Sequence, residues 1–225
     1  MKKVKFFIYM IVVCLCLNGC SKTPEYTGKT DIEKARSLHT GLESAKLTMT
    51  DNISGEIIQE IEYLFAGEVM TYMYMGKDGE KTYYEYNNGT ELDFITLPDE
   101  KEWSFAAKGS DGYYTYSKLS RHYFADGDQL FAVYPTAISD VVLTEGEDGS
   151  KTYAYMYNAE ALKDYEAFEG MGDIAIFTMT YNLDSDGYCT RFTNDYTMDD
   201  INYSYTVEIS EMNGIEKIER TEVLL

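Results

Sequence analysis

Hydrophobic and polar residues alternate along most of the chain after its first forty residues. Positions of one parity are mainly apolar in four stretches, Ala45–Met49, Ile57–Phe65, Thr82–Tyr86 and Tyr203–Ile209. A period of two is typical of a β-strand with one buried face, because successive side chains point to opposite sides of a sheet. The pattern therefore predicts a chain built mainly of strands.

Asp-Gly and Asn-Gly dipeptides separate these stretches. They are Asp78-Gly79, Asn88-Gly89, Asp111-Gly112, Asp126-Gly127, Asp148-Gly149, Asp186-Gly187 and Asn213-Gly214. Such pairs supply the positive φ angles that tight hairpins need. Their short spacing predicts an antiparallel meander and argues against parallel strands joined by helices.

Helical patterns interrupt the strands at two places. Asp31–Leu42 carries apolar residues on one face and begins with a possible capping aspartate, and Ala159–Phe168 consists of good helix formers. A third stretch, Tyr116–Asp126, fits either a short helix or a strand and loop. The predicted class is a β-rich α+β fold.

The first residues have the composition of a secretion signal. Lys2, Lys3 and Lys5 precede the apolar run Phe6–Leu17, which is too short to span a bilayer. The run ends in Leu17-Asn18-Gly19-Cys20, which resembles a bacterial lipobox. The resemblance implies cleavage before Cys20, acylation of that cysteine (palmitate or a similar chain) and a protein anchored by lipid outside the cell.

The predicted organisation follows from this beginning. Residues 1–19 form the signal peptide, residues 20–30 a lipidated tether, and residues 31–225 a single β-rich domain. The predicted location is extracytoplasmic, on the membrane of a bacterial envelope. Two acyl chains suffice for stable anchoring, whereas one alone is marginal.

The charge balance narrows the possible partners. Loss of the signal removes three lysines and takes the formal net charge from −20 to −23. A surface this acidic repels nucleic acids and anionic lipid headgroups, so we expect no nucleic-acid partner and assign the membrane contact to the lipid anchor. Cys189 is the one cysteine left for the folded domain, which excludes an intrachain disulfide. We expect a monomer.

The order of elements resembles that of the LolA/LolB/LppX-like superfamily, in members of Gram-positive type. The shared features are a lipobox, a tether, an N-terminal helix, meandering strands, an inserted helix and closing hairpins such as those in Thr178–Arg220. The resemblance implies a curved antiparallel sheet, a half-barrel or incomplete barrel, with a few helices on its concave side. It also implies that a lipid or a lipoprotein acyl chain binds between the helices and the sheet.

Few residues in the sequence suggest catalysis or metal binding. His39 and His122 lie far apart and outside any metal-binding or triad motif, so both are expected at the surface or at helix ends. Asp184-Ser185-Asp186-Gly187 begins like a calcium loop, but Thr193 stands where the bidentate glutamate belongs. We interpret this segment as a hairpin turn, and we predict no enzyme activity, no cofactor and no metal.

The abundance of tyrosine is the main indication of a ligand. The chain has 22 Tyr, 10 Phe and one Trp, together with several methionines on strand-like segments. Tyrosine suits the rim of a sheet core, and an aromatic and thioether lining also suits a greasy ligand. The residues predicted to line such a site are Leu47, Met49, Ile61, Tyr63, Phe65, Leu162, Tyr165, Phe168, Tyr203, Tyr205, Val207 and Ile209.

Two functions remain open from the sequence. The first is non-catalytic binding of a hydrophobic or amphiphilic ligand by a lipid-anchored protein. The alternative is a cell-surface module that binds glycan or another envelope protein through exposed aromatic residues such as Trp103.

Overall fold

The computed structural model describes residues 25–66, 69–76, 79–87, 91–111, 131–220 and 222. The helices are α1 (Lys29–Thr40) and α2 (Ala159–Leu162), with 3-10 helices at Pro135–Ala137 and Glu166–Phe168. The strands are β1 (Ser44–Asp51), β2 (Glu56–Ala66), β3 (Val69–Gly76), β4 (Lys81–Asn87), β5 (Glu91–Leu97), β6 (Ser104–Ala107), β7 (Ile138–Glu145), β8 (Lys151–Tyr157), β9 (Ile174–Leu183), β10 (Cys189–Met198) and β11 (Ile201–Ser210).

The predicted fold class is confirmed. The protein is a β-rich α+β protein with an antiparallel sheet that does not close and only a few helices. Among the described residues, 25–37 and 131–204 belong to one compact unit, and those within 38–111 and 205–222 belong to a second. Strand β11 begins in the first unit and continues in the second.

The second unit contains the meander predicted from the alternating pattern. Its strand order is β6-β5-β4-β3-β2-β1-β11, and the pairs with a described register are antiparallel. Leu47 of β1 lies opposite Ile209 on one side and Ile61 on the other, and all three side chains are buried. This shared parity builds the core of the unit, since a shift of one residue would turn each side chain to the opposite face.

The first unit consists of β7, β8, β9 and β10 together with the start of β11 and most of α1. Each strand is joined to the next by antiparallel pairing, with β8 at the centre between β7 and β9. Gly149 has a φ of 85° in the β7–β8 turn, as the Asp-Gly signal predicts.

The Asp184–Gly187 segment forms the predicted hairpin turn. Oδ1 of Asp184 accepts hydrogen bonds from the backbone N–H groups of Asp186, Gly187 and Tyr188 at 2.9–3.0 Å. The carboxylate is therefore engaged in holding the turn between β9 and β10.

The turn between β10 and β11 carries no Asp-Gly or Asn-Gly pair and was not predicted. Asp199 and Asp200 have φ angles of 50° and 61°, which is the backbone that a two-residue hairpin with positive φ at both positions requires. The Asp199 carboxylate also accepts a hydrogen bond from the Asp173 N–H at 2.9 Å. This contact fastens the turn to the segment before β9.

The prediction of one helix over Ala159–Phe168 is wrong. Helix α2 is capped by the Asn158 side chain and ends at Leu162. Tyr165 then has an extended backbone (φ −99°, ψ 132°), and a separate 3-10 helix follows. Tyr165 also makes a 2.6 Å hydrogen bond with the Thr136 hydroxyl, a tertiary contact that outweighs the modest helix propensity of a short segment.

Two other helix predictions have different outcomes. The predicted helix over Asp31–Leu42 is confirmed as α1, displaced by two residues toward the N-terminus. Tyr116–Asp126 lies outside the described residues, as do the turn pairs Asn88-Gly89 and Asp126-Gly127. Within the described part of the chain, no helix has both the length and the apolarity needed to span a membrane.

Candidate functional site

The residues predicted to line a ligand site fall into two groups. Leu47, Met49, Ile61, Tyr63 and Ile209 form the buried core of the second unit, where each is at most 6% exposed. Phe65, Tyr205 and Val207 belong to the same unit and are partly buried. Because these residues are buried and face one another across paired strands, they form an ordinary sheet core.

The other predicted residues belong to the first unit. Leu162 and Phe168 are buried, and Tyr165 is partly buried. Tyr203 stacks on Tyr196, with ring centroids 4.7 Å apart. Cys20, the predicted acylation site, lies outside the described residues.

The first unit contains a continuous aromatic surface that the sequence analysis did not single out. We define the aromatic face as one side of β8, β9 and β10, and its members are Tyr153, Tyr155, Tyr157, Phe177, Met179, Tyr181, Phe192, Asn194 and Tyr196. The strand register sets these residues in rows, such as Tyr153–Tyr181–Phe192 and Tyr155–Met179–Asn194. All nine are at most 9% exposed.

Tyr134 is the centre of the cover over one end of this face. Its ring makes edge-to-face contacts with Tyr157, Tyr165, Phe168 and Phe177, at centroid distances of 4.8–6.3 Å. Tyr134 lies just before a single-turn 3-10 helix, and Tyr165 and Phe168 lie at the second such helix. The cover is therefore made of rings carried by loops and short turns.

Residues from the start of α1 and the preceding segment cover the other end. The Tyr155 hydroxyl donates to the carbonyl oxygen of Thr27 at 2.8 Å, and the Tyr153 hydroxyl donates to Oδ2 of Asp31 at 2.5 Å. Lys151 Nζ lies 2.7 Å from the same carboxylate oxygen. The side-chain hydrogen bonds from Lys151 and Tyr153 hold the pKa of Asp31 below its usual range.

Burial governs the acid–base state of the face. It raises the pKa of Tyr155, Tyr157 and Tyr181 above the ordinary value for tyrosine, so all three stay protonated at physiological pH. Burial also raises the pKa of the Cys189 thiol to about 12, and this side chain is fully buried. A thiol in such a setting is a poor nucleophile.

One polar side-chain atom on the aromatic face makes no hydrogen bond. Asn194 is 6% exposed, and its Oδ1 is buried with no hydrogen-bond partner among the described residues. Buried polar groups are nearly always paired, so an unsatisfied oxygen on this face requires a reason.

Of the two histidines, His122 lies outside the described residues. His39 lies near the end of α1, as predicted, but it is 3% exposed and so does not lie at the surface. Among the described residues, no group of three or more His, Cys, Asp and Glu side chains is placed to hold a metal ion.

Trp103 is partly covered by the C-terminal segment. The Arg220 guanidinium lies over the indole ring, 4.2 Å from its centroid, and bridges Glu85 and Asp93 at 3.2 and 3.3 Å. One face of the indole is thus unavailable for stacking on a sugar. Phe105, at 69% exposure, is the most exposed large apolar side chain of the described residues.

Sequence reasoning missed Tyr134 and Asn194 as candidates. Asn194 shares its parity with Phe192, Tyr196 and Met198, so a polar residue on an otherwise apolar face was visible as a signal. Tyr134 gave no such signal, because its contacts join segments about 25–45 residues apart in the chain.

The likeness of this chain to solved structures is distant. The fold is similar to the crystal structure of LprF from Mycobacterium bovis, with a TM-score of 0.46 and 9% identity, over 88% of this chain and 99% of that chain. No protein-family model and no curated protein matches the chain. A likeness this distant does not assign a family or a ligand, so the superfamily resemblance stays a prediction.

Proposed function

We propose that the chain is a lipid-anchored, extracytoplasmic binding protein that holds a hydrophobic or amphiphilic ligand against the aromatic face, without catalysis. The observation that carries the proposal is the nature of the cover around Tyr134. Rings from loops and single turns lie where an apolar ligand would lie, on a face built of tyrosine, phenylalanine and methionine. Such lining is typical of sites for greasy molecules.

The cover can open at low energetic cost to the sheet. Tyr134 is held by its ring contacts with Tyr157, Tyr165, Phe168 and Phe177, and each contact of this kind contributes about 0.5–1.5 kcal/mol beyond its buried area. Moving the ring away leaves the antiparallel hydrogen bonds of β8, β9 and β10 intact. An acyl chain entering the same space would restore most of the lost apolar contact. The free energy of replacing the ring by the ligand is therefore expected to be small.

The proposed location rests on the N-terminal sequence. The charged start, the short apolar run and Cys20 support export and acylation. Cys20→Ser is expected to give an unprocessed precursor or a released form in fractionation of cells. Recovery of that variant in membranes as a cleaved, acylated protein would contradict the assignment.

A fluorescent fatty-acid probe tests the ligand site. The protein is the predicted mature chain with Cys20→Ala, so that no covalent acyl chain competes. We expect saturable binding in the micromolar range or tighter, and we expect Tyr134→Ala to keep or strengthen binding because it removes a ring that occupies the site.

The control for this test is Phe105→Ala, which removes the most exposed ring of the described residues and is expected to leave probe binding unchanged. Absence of saturable binding by the parent protein would contradict the proposal. Loss of binding in Phe105→Ala, with Tyr134→Ala unaffected, would favour the surface-module alternative.

A further inference from the structure

We propose that Asn194 is the polar anchor of the ligand site, and that its carbonyl oxygen accepts a hydrogen bond from the hydroxyl group of a neutral amphiphile. This inference rests on the proposed function and names the class of ligand. It predicts a molecule with an apolar chain and an uncharged hydroxyl close to it, such as a fatty alcohol or an acylglycerol.

The position of Asn194 makes its unsatisfied oxygen unusual. Phe192 and Tyr196 flank it on β10, and Met179 lies directly opposite on β9. The side chain is 6% exposed, and Oδ1 has no partner in the structure. Leaving a buried acceptor unpaired destabilises the folded state, whereas a leucine would occupy nearly the same volume without that penalty.

Two polar side chains on the opposite side of the same strands do have hydrogen-bond partners. Asp195 accepts a hydrogen bond from the Ser204 hydroxyl at 2.5 Å, and Asn182 donates to the Thr152 hydroxyl oxygen at 2.9 Å. The sheet therefore satisfies its polar side chains where they face outward. Asn194 is the exception, on the face where we place the ligand.

The chemistry of the face selects the ligand's polar group. The Asn194 oxygen needs a donor, so a carboxylate or phosphate gains no hydrogen bond from it, and a fatty acid is expected to bind through its chain with its head group in water. An ammonium group is also disfavoured, because burying a charge on an apolar face without a counter-charge is costly. A hydroxyl can donate to the Asn194 oxygen without bringing a charge onto the face.

The test compares 1-dodecanol with its methyl ether, each used to displace the fluorescent fatty-acid probe from the mature chain carrying Cys20→Ala. The two molecules share the apolar chain and the oxygen, but only the alcohol can donate. We expect the parent protein to bind the alcohol about tenfold more tightly than the ether, the effect of one hydrogen bond to an otherwise unpaired acceptor.

Two variants locate the preference. Asn194→Leu is expected to bind the two molecules equally and to unfold at the same or a higher temperature. Phe105→Ala removes an exposed ring outside the aromatic face and is expected to keep the tenfold preference. Retention of the preference in Asn194→Leu would overturn the inference.

If Asn194→Leu does not fold, the comparison of alcohol and ether in the parent protein still tests the inference. Equal affinity for alcohol and ether in the parent protein would overturn the Asn194 inference but leave the proposed function standing. That result is expected if a buried water already donates to the Asn194 oxygen. Failure of the probe and of both molecules to bind would overturn the proposed function itself.

Discussion

Replacing Asp31 with asparagine probes the contact that fastens the start of α1 over the aromatic face. The change keeps the shape of the side chain and an oxygen acceptor for the Tyr153 hydroxyl, but it removes the charge. In the native protein that hydroxyl donates to Asp31 Oδ2 at 2.5 Å, and Tyr153 is only 3% exposed. The contact is therefore a charge-assisted hydrogen bond with a well-shielded donor.

The magnitude follows from the change of hydrogen-bond type. Hydrogen bonds to charged groups contribute about 1.5–3 kcal/mol and neutral ones about 0.5–1.5 kcal/mol, so Asp31→Asn is expected to lower the free energy of unfolding by about 1 kcal/mol. The Lys151 ammonium is open to solvent, and we assign it no part of this figure. Asp31→Ala leaves the buried hydroxyl unpaired and is expected to cost about 1–3 kcal/mol.

The effect has a defined dependence on pH. The folded-state pKa of Asp31 lies below its usual value, because Lys151 and Tyr153 hydrogen-bond to the carboxylate. The stabilisation is therefore fully present above the unfolded pKa of about 3.9 and is lost as the pH falls through the lowered folded pKa. The difference between the native protein and Asp31→Asn is expected at pH 7 and should shrink below about pH 4.

Urea unfolding followed by circular dichroism measures this difference at several pH values. Glu33→Gln is the matched control, because it removes one negative charge from an exposed position of the same helix. The control is expected to change stability by less than about 0.5 kcal/mol. Equal stability of Asp31→Asn and the native protein at pH 7, or a difference unchanged at low pH, would refute the reasoning.

Three further changes test other parts of the structure. Gly28→Ala should lower the melting temperature by several degrees, because Gly28 has a φ of 81° and a Cβ there would overlap the Tyr153 ring; a melting curve that overlays the native one would contradict this packing. Arg220→Ala should shift the fluorescence emission of Trp103, the only tryptophan, because it removes the guanidinium from above the indole ring. The free energy of unfolding should change by less than about 1 kcal/mol. An unchanged emission spectrum would contradict the contact. Cys189 should react with a thiol reagent only after denaturation, because it is fully buried and its pKa is raised to about 12; rapid labelling of the native protein would disprove this.

Much of the fold could be predicted from local pattern. Period-two alternation located β1, β2 and β11, since side-chain parity along a strand depends only on the sequence and on which face is buried. The Asp-Gly signals located turns such as the one at Gly149, because positive φ is a local requirement. Helix α1 was predicted by the same kind of local rule.

The candidate site could not be predicted in the same way. The break after Leu162 and the cover around Tyr134 depend on contacts between distant segments, such as the one between Tyr165 and Thr136. Asn194 has the spacing of a core residue, and only the structure shows that its oxygen has no partner. Local pattern predicts which face is buried, whereas the satisfaction of polar groups depends on the assembled unit.

Native mass spectrometry of the acylated protein, extracted gently from membranes, tests the central claim most directly. If a ligand is held against the aromatic face, the protein should carry one additional amphiphile beyond its covalent acyl groups, and collisional activation should release that molecule intact. Phe105→Ala should carry it to the same extent, because the exposed ring takes no part in the site. A single mass equal to that of the acylated chain alone, at every extraction condition, would contradict the account.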